Sequence, residues 1–514
     1  MKNYKNKLIP LFTAILIVIS GCSDDFLEVE PTGKSTEAFY YSTESEAYAA
    51  LVSVYDIVGF VSNGFIDKLP ALNSASDDHY AGGGNSGDIS AFQAWNDYNQ
   101  LNPATGPQEA LWSKGFQGVY RSNILLSKLP GVPMSEDVKK RFAAEAQALR
   151  AYFYFDLIRF FRNIPKFEKP LDFENVYDVE QVSREVIYTF IEEDLKAAIP
   201  NLPATVPVDT EGGRITRGAA RAILGQVYLN QEKFDLAAEQ FAIVNGNTPG
   251  EPSEEGEYDL LENFGDLFVN GNEYNSESIF EIGHTSTSNG AWDCVACTEG
   301  NVINILVGPR GYGILETESS APDFVSGWSF NPVTQDLVDA FVQNGNYDPR
   351  YKHSISNVDS LANAGVVQYT PGYDNTGYFL KKFAGLKDDQ STGGGNYELN
   401  FPQNTYEIRL ADTYLLEAEA IVRGNLADQA RAQNLLNAVR ARVGLAPITA
   451  SINNILNERR IELAGEGKRW FDLIRNNRAA SALADFGFVE GKNEFLPVPL
   501  LELNNTKIQQ DPNY

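Results

Sequence analysis

The chain has 514 residues and a net charge of −28, with 69 acidic side chains against 41 basic ones. That balance repels a polyanion, so nucleic acid is not an expected partner: the counterion-release gain that drives such binding needs cations this chain lacks in number. The length exceeds what a single hydrophobic core usually fills, so one large body or two packed subdomains are expected.

At the start, Lys2, Lys5 and Lys7 precede twelve mostly apolar residues, 8–19. A bilayer-spanning helix needs about 20 such residues, and a basic start, a short apolar run and small residues before the break form a secretory signal, residues 1–21. The next residue is a cysteine. Ile19-Ser20-Gly21-Cys22 resembles a bacterial lipobox, which makes Cys22 the expected lipidation site. Two or three acyl chains there would hold the protein firmly to a membrane. Ser23-Asp24-Asp25 is similar to the acidic tag of Bacteroidetes lipoproteins sent to the outer surface, so the expected location is the outer membrane, lipid-anchored and facing out. Loss of the signal removes its three lysines and moves the net charge to −31.

Residues 60–110 are rich in Gly, Asn, Ser and Asp and lack sustained helical periodicity, which predicts loops with short strands. Within them, "SASDDHYAGGGNSGDISAFQAWND" offers Asp77, Asp78, His79, Tyr80 and Trp95 as ligand contacts. A lone histidine in a Gly-rich loop makes a weak case for a catalytic base. Trp112 keeps helical spacing and reads as core. Residues 144–161 repeat apolar side chains at Ala146, Leu149, Phe153, Leu157 and Phe160, the period of a helix. Residues 223–249 then fit the tetratricopeptide pattern, with Leu224, Gly225, Tyr228, Ala237, Phe241 and Pro249 at its offsets. A second, weaker unit begins near Tyr414 and keeps Ala418 and Ala430.

Between these helical blocks, residues 245–405 again favour loops. Cys294 and Cys297 stand as a CxxC pair beside Trp292. Such a pair serves as a redox site, half a zinc site or a local disulfide; outside the cytoplasm the thiols oxidise, which favours a small disulfide that stiffens the loop. Arg310, Tyr312 and Trp328 follow. Sugars expose apolar C–H faces and rims of hydroxyls, and aromatic rings with Asp, Asn and Arg suit both. Long loops on a rigid frame are where such residues gather. Oxygen-rich loops can hold calcium, but no EF-hand pattern is present and no metal site or cofactor is nominated. Further on, residues 458–476 form a charged amphipathic helix with a break expected near Gly465 and Gly467; its Glu and Arg read as a structural ion-pair lattice.

Several stretches taken in order carry a family resemblance. "CSDDFLEVEPTG", "AEAQALRAYFYFDLIRFFRNIP", "RITRGAARAILGQVYLN", "IRLADTYLLEAEA", "NERRIELAGEGKRWFDLIRN" and the closing "FLPVPLLELNNTKIQQDPNY" resemble the SusD/RagB outer-membrane nutrient-binding lipoproteins over nearly the whole chain. The resemblance implies a mainly α, tetratricopeptide-like scaffold (about 22–245 and 405–514) with a loop-rich insertion (about 246–404) carrying short strands. It also implies a SusC-like TonB-dependent transporter as partner, on which the protein sits as a lid, and an oligosaccharide or, in some branches, a peptide as ligand. Arg459, Arg460, Glu462 and Trp470 match framework positions of the family. The acidic balance favours a neutral glycan. No G-x-S-x-G, HExxH or Walker loop is present, so a non-enzymatic receptor is expected. The alternatives are a peptide receptor, a lid with little ligand affinity of its own, and a surface glycosidase, which would need two carboxylates facing across a cleft.

Overall fold

The structure, a computed structural model, describes residues 41–514 except 63, 172, 289 and 317–319. Cys22 and the signal segment lie outside the described residues. Long helices form the frame: α1 (Glu44–Gly59), α2 (Gln108–Lys128), α3 (Glu136–Phe160), α4 (Arg184–Ala198), α5 (Arg217–Asn230) and α6 (Phe234–Asn245). After the insertion come α7 (Leu410–Arg423), α8 (Gln429–Arg442) and α9 (Ile452–Glu462). No helix among the described residues is long and apolar enough to cross a membrane.

Local chemistry sets the helix ends. Thr43 and Glu46 make a reciprocal capping box at α1, and the Ser135 hydroxyl accepts the Val138 N–H at the start of α3. Successive helices pack on one another, α2 on α3, α3 on α4 and α5 on α6, and glycines let them approach. A Cβ at Gly115 would stand 2.6 Å from Leu157, and one at Gly118 2.4 Å from Phe153, so α2 lies directly on α3. The tetratricopeptide positions work the same way: Gly225 of α5 faces the fully buried Phe241 of α6. In the second unit Ala418 is buried, while Ala430 is exposed. Trp112 lies in the core against Phe161, as its spacing predicts.

The insertion is built of short pieces. Strand β1 (Ser278–Ile282) pairs antiparallel with β2 (Thr405–Arg409), and two- and three-residue strands pair Gly313–Ile314 with Val367–Gln368 and Ile355–Asn357 with Tyr378–Leu380. Residues 60–110 depart from the loop expectation. Two seven-residue helices, Lys68–Ser74 and Ser90–Asn96, stand there, and residues 70–79 are buried almost without interruption. Each helix is too short for periodicity to reveal it, and burial against the frame supplies its stability.

What joins frame and insertion is charge. Arg409, at the end of β2, lies 2.8 Å from Glu277, 2.6 Å from Glu462 and 2.9 Å from Glu466. Arg350, from the insertion, reaches Asp348 (2.7 Å), Glu458 (2.7 Å) and Glu462 (2.9 Å). Arg442 of α8 pairs with Glu277 and Glu462, Arg440 with Glu458, and Lys382 with Glu466. Five cations thus meet five carboxylates, nearly all of them hidden from solvent. The α9 helix ends inside this lattice, and Gly465 and Gly467, both at positive φ, turn the chain where the break is expected. Burial alone would raise the Glu466 carboxyl, but Arg409 and Lys382 reverse that and hold it at about 2. Glu462 is held well below the usual range by Arg442, Arg409 and Arg350, again against burial. Lys382 is pushed down to about 8 by burial, with Glu466 opposing.

Removing one carboxylate would leave buried guanidinium groups uncompensated. Glu462→Gln is therefore expected to cost about 3–5 kcal/mol in urea unfolding. Because the folded-state values of Glu462 and Glu466 lie below the unfolded one, their stabilisation is complete above pH 4.5 and is lost as pH falls towards 2. Melting temperature measured across pH 2–6 should drop most steeply below 4.5.

Candidate functional site

An aromatic surface forms where the insertion meets the loop after α1. The rings of Trp292 and Trp328 are stacked, centroids 5.9 Å apart and planes 27° from parallel. Phe65 packs edge-on to both, at 6.0 Å and 5.3 Å. Trp292 is 46% exposed, while Trp328 is half-buried over Ile305, Val325 and Phe401. Two stacked indoles, one exposed and one partly so, braced by a third ring, make an apolar step.

Each ring is held by its own segment. Cys294 and Cys297 are joined in a disulfide, and the Cys294 N–H donates to the Ala291 carbonyl, which closes a tight turn around Trp292. That turn is anchored from behind. Asn396 N–H and Asn400 Nδ2 both donate to the Gly290 carbonyl at 2.9 Å, and the Trp292 N–H donates to Asn396 Oδ1 at 3.3 Å. Trp328 N–H donates to the Ile305 carbonyl at 2.8 Å. Phe65 takes a left-handed conformation (φ 59°). Its N–H donates to the Ser62 carbonyl.

Arg310 borders the step. Its Nη2 donates to the Trp328 carbonyl at 3.1 Å and lies 3.8 Å from the Asp88 carboxylate, which accepts the Gly84 N–H. The backbone around it is dense: Thr370 N–H donates to the Arg310 carbonyl and Tyr373 N–H to the Gly83 carbonyl. Tyr373 itself is exposed. Phe65, Asp88 and Tyr373 were not nominated from sequence. The one signal for Phe65 is its place after an Asn-Gly pair, a sequence common in turns, and it is a weak one.

The other nominated residues fall elsewhere. Trp95 is fully buried, 5.4 Å from Trp470 and 6.0 Å from Phe160, and belongs to the core. Asp77 and Asp78 are also buried, and they serve as ion-pair partners. Arg469 grips Asp77 with two hydrogen bonds of 2.8 and 2.7 Å, and Arg460 Nε donates to Asp78 at 2.6 Å. Burial would raise Asp77, but Arg469 and Arg460 hold it low; in Asp78 burial prevails and the carboxyl is raised. These pairs tie residues 77–78 to α9 and to the short helix Arg469–Arg475 that follows it. His79 has no exposed surface, neither ring nitrogen has a hydrogen-bond partner among the described residues, and burial pushes it down to about 3. Tyr312 is buried too, its hydroxyl donating to the Pro322 carbonyl at 2.7 Å. Tyr80 is half-buried and faces a different cleft, beside Phe486. Only Trp292, Trp328 and Arg310 of the nominated set share one surface. Arg459, Arg460, Glu462 and Trp470 are framework, with the Trp470 Nε1 donating to the Tyr98 hydroxyl at 3.0 Å.

Comparison with known proteins supplies the class. The family described as "Starch-binding associating with outer membrane" matches residues 25–229, and the one described as "SusD family" matches residues 276–495. This is a SusD-like protein. The chain belongs to the SusD/RagB family. A solved laminarin binding SusD-like protein is 47% identical, with a TM-score of 0.87 over 92% of this chain and 100% of that one. Surface glycan-binding protein A from Bacteroides thetaiotaomicron, in complex with laminarihexaose, is 25% identical with a TM-score of 0.81 over 92% and 100%. A SusD-like protein of Bacteroides ovatus is 27% identical over 91% of this chain and 82% of its own length.

His79 gives a direct check on these assignments. A buried imidazole at about 3 stays neutral through the physiological range. In an NMR titration from pH 8 to 5 its ring signals should not move, whereas an imidazole open to ligand and solvent would titrate near 6.5.

Proposed function

We propose that the protein is a cell-surface lipoprotein that captures a neutral, laminarin-type glucan on the Trp292–Trp328 step and passes it to a SusC-like TonB-dependent transporter. The stacked indoles carry this reading. Glucose rings present apolar C–H faces that lie flat on such rings, and aromatic contact of this kind contributes about 0.5–1.5 kcal/mol beyond area burial. Arg310 and Asp88 at the border supply a donor and an acceptor for hydroxyls. Capture of this kind involves no proton transfer, so the site asks for no general acid or base. The choice of glucan is supported by the 47% identical relative named for laminarin and by the laminarihexaose complex of a second relative. A net charge of −28 favours an uncharged polymer over a sulfated or uronic one. Cys22 would carry the anchor, and the family membership supports delivery to a transporter.

The test is calorimetric titration of the mature chain with laminarin and with laminarihexaose. Trp292→Ala and Trp328→Ala should each weaken binding about tenfold or more, which is about 1.4 kcal/mol per factor of ten. Unchanged affinity in both variants would sink the assignment of the step. Binding of peptides and of no glycan would favour the peptide receptor, and release of reducing ends would favour a hydrolase.

A further inference from the structure

A second cleft, of about 650 Å³, lies around Tyr80. Its aromatic wall is Tyr80 against Phe486, ring centroids 6.0 Å apart and planes inclined at 40°, so the two half-buried rings form an open V. Asp97, Asp374, Asp485 and Gln335 are among the other lining residues, together with Asp336, which pairs with Arg460 at 2.6 Å. Asp97 accepts from Asn99 and Gln100, and among the described residues its carboxylate stands in no ion pair; Asp374 and Asp485 are exposed and likewise have no cationic partner among the described residues. The wall is fixed from below: Tyr80 N–H donates to the Pro332 carbonyl, and Tyr98 N–H to the Phe486 carbonyl.

Two stretches of backbone lead from the cleft to Arg310 at the border of the aromatic step. From Tyr80 the chain runs through Gly82, bridged to Phe330, to Gly84, where an added Cβ would meet Arg310 Nη2 at 3.2 Å. Four residue steps span at most roughly 13 Å. A second strand of chain follows the same line: Thr370 bonds the Arg310 carbonyl, Gly372 lies against Gly83 and Ser329, Tyr373 bonds the Gly83 carbonyl, and Asp374 enters the cleft. Tyr373, which is exposed, therefore lies on the chain between Thr370 at Arg310 and Asp374 in the cleft.

We infer that the Tyr80–Phe486 cleft is a second subsite, which takes a more distant part of the same neutral glucan chain whose first part lies on the Trp292–Trp328 step. This rests on the glycan-binding reading above. Tyr80 and Phe486 receive a sugar face, and the unpaired carboxylates accept its hydroxyls. Those same carboxylates repel sulfated or uronic chains, so the cleft lengthens the site and also selects for uncharged polymers.

The test compares laminarin with laminaritriose, which is too short to reach from the step to the cleft, on the mature full chain. Binding is read by quenching of tryptophan fluorescence. Tyr80→Ala and, separately, Asp374→Asn should weaken laminarin binding about fivefold or more while leaving laminaritriose unchanged. Asn keeps the left-handed backbone of residue 374 (φ 49°), so this second variant guards against misfolding of the first. Trp292→Ala should weaken both ligands. If both cleft variants bind laminarin as the unaltered protein does, while Trp292→Ala does not, the subsite is wrong and the step stands. If the cleft variants weaken both ligands equally, there is one site and not two. If Trp292→Ala leaves both affinities intact, the reading on which the subsite rests fails first.

Discussion

The buried ion-pair lattice around Glu462 and Arg409 is the constraint on which the remaining architecture depends. An irregular insertion of short strands and loops has little regular hydrogen bonding of its own to hold it in register. Here Arg350, Lys382 and Glu277 from the insertion enter the same charge cluster as Arg442, Glu458, Glu462 and Glu466 from the frame. Because each buried charge needs its partner at hydrogen-bond distance, the lattice admits one relative placement of the two parts. A purely apolar contact would be less particular.

That placement is what creates the aromatic step and the cleft. Arg460 and Arg469 clamp Asp77 and Asp78, which sets the start of the 79–84 segment. This segment then lies along 329–333, bridged at His79–Val333 and Gly82–Phe330. Glycines are required where backbones touch: a Cβ at Gly82 would stand 2.3 Å from the Ser329 carbonyl oxygen, and one at Gly327 2.4 Å from Gly308. The loops that carry Arg310, Trp328 and Tyr373 are thus packed as tightly as a core, which suits a site that must present rings without first ordering them.

The distribution of charge explains how so acidic a protein keeps a selective surface. Its arginines are largely consumed inside the fold, as the pairs of Arg150, Arg350, Arg409, Arg459 and Arg475 show. The carboxylates left over face solvent, and some of them line the cleft at Tyr80. Arg310, 38% exposed, is a cation that stays at the border of the aromatic step, where it meets Asp88 at a distance long enough to leave its donors in play.

Local pattern determined the helical frame. The 3.6-residue period of residues 144–161 and the glycine and aromatic offsets of 223–249 depend only on neighbours along the chain, so they are legible without a fold. The tight CxxC beside Trp292 was legible for the same reason. The separation of core from surface was not. Trp95, Tyr312, Asp77, Asp78 and His79 have the residue types of a binding site, and all are turned inward: Tyr312 by nearby Pro322 and Phe324, the others by segments hundreds of residues away, such as Trp470 for Trp95 and Arg469 for Asp77. Conversely, Phe65, Asp88 and Tyr373 gained a place at the surface because distant backbone brought them beside Trp292, Trp328 and Arg310. Burial is a property of long-range packing, and residue type and spacing carry only its average; which ring became core and which became platform was decided by the tertiary structure alone.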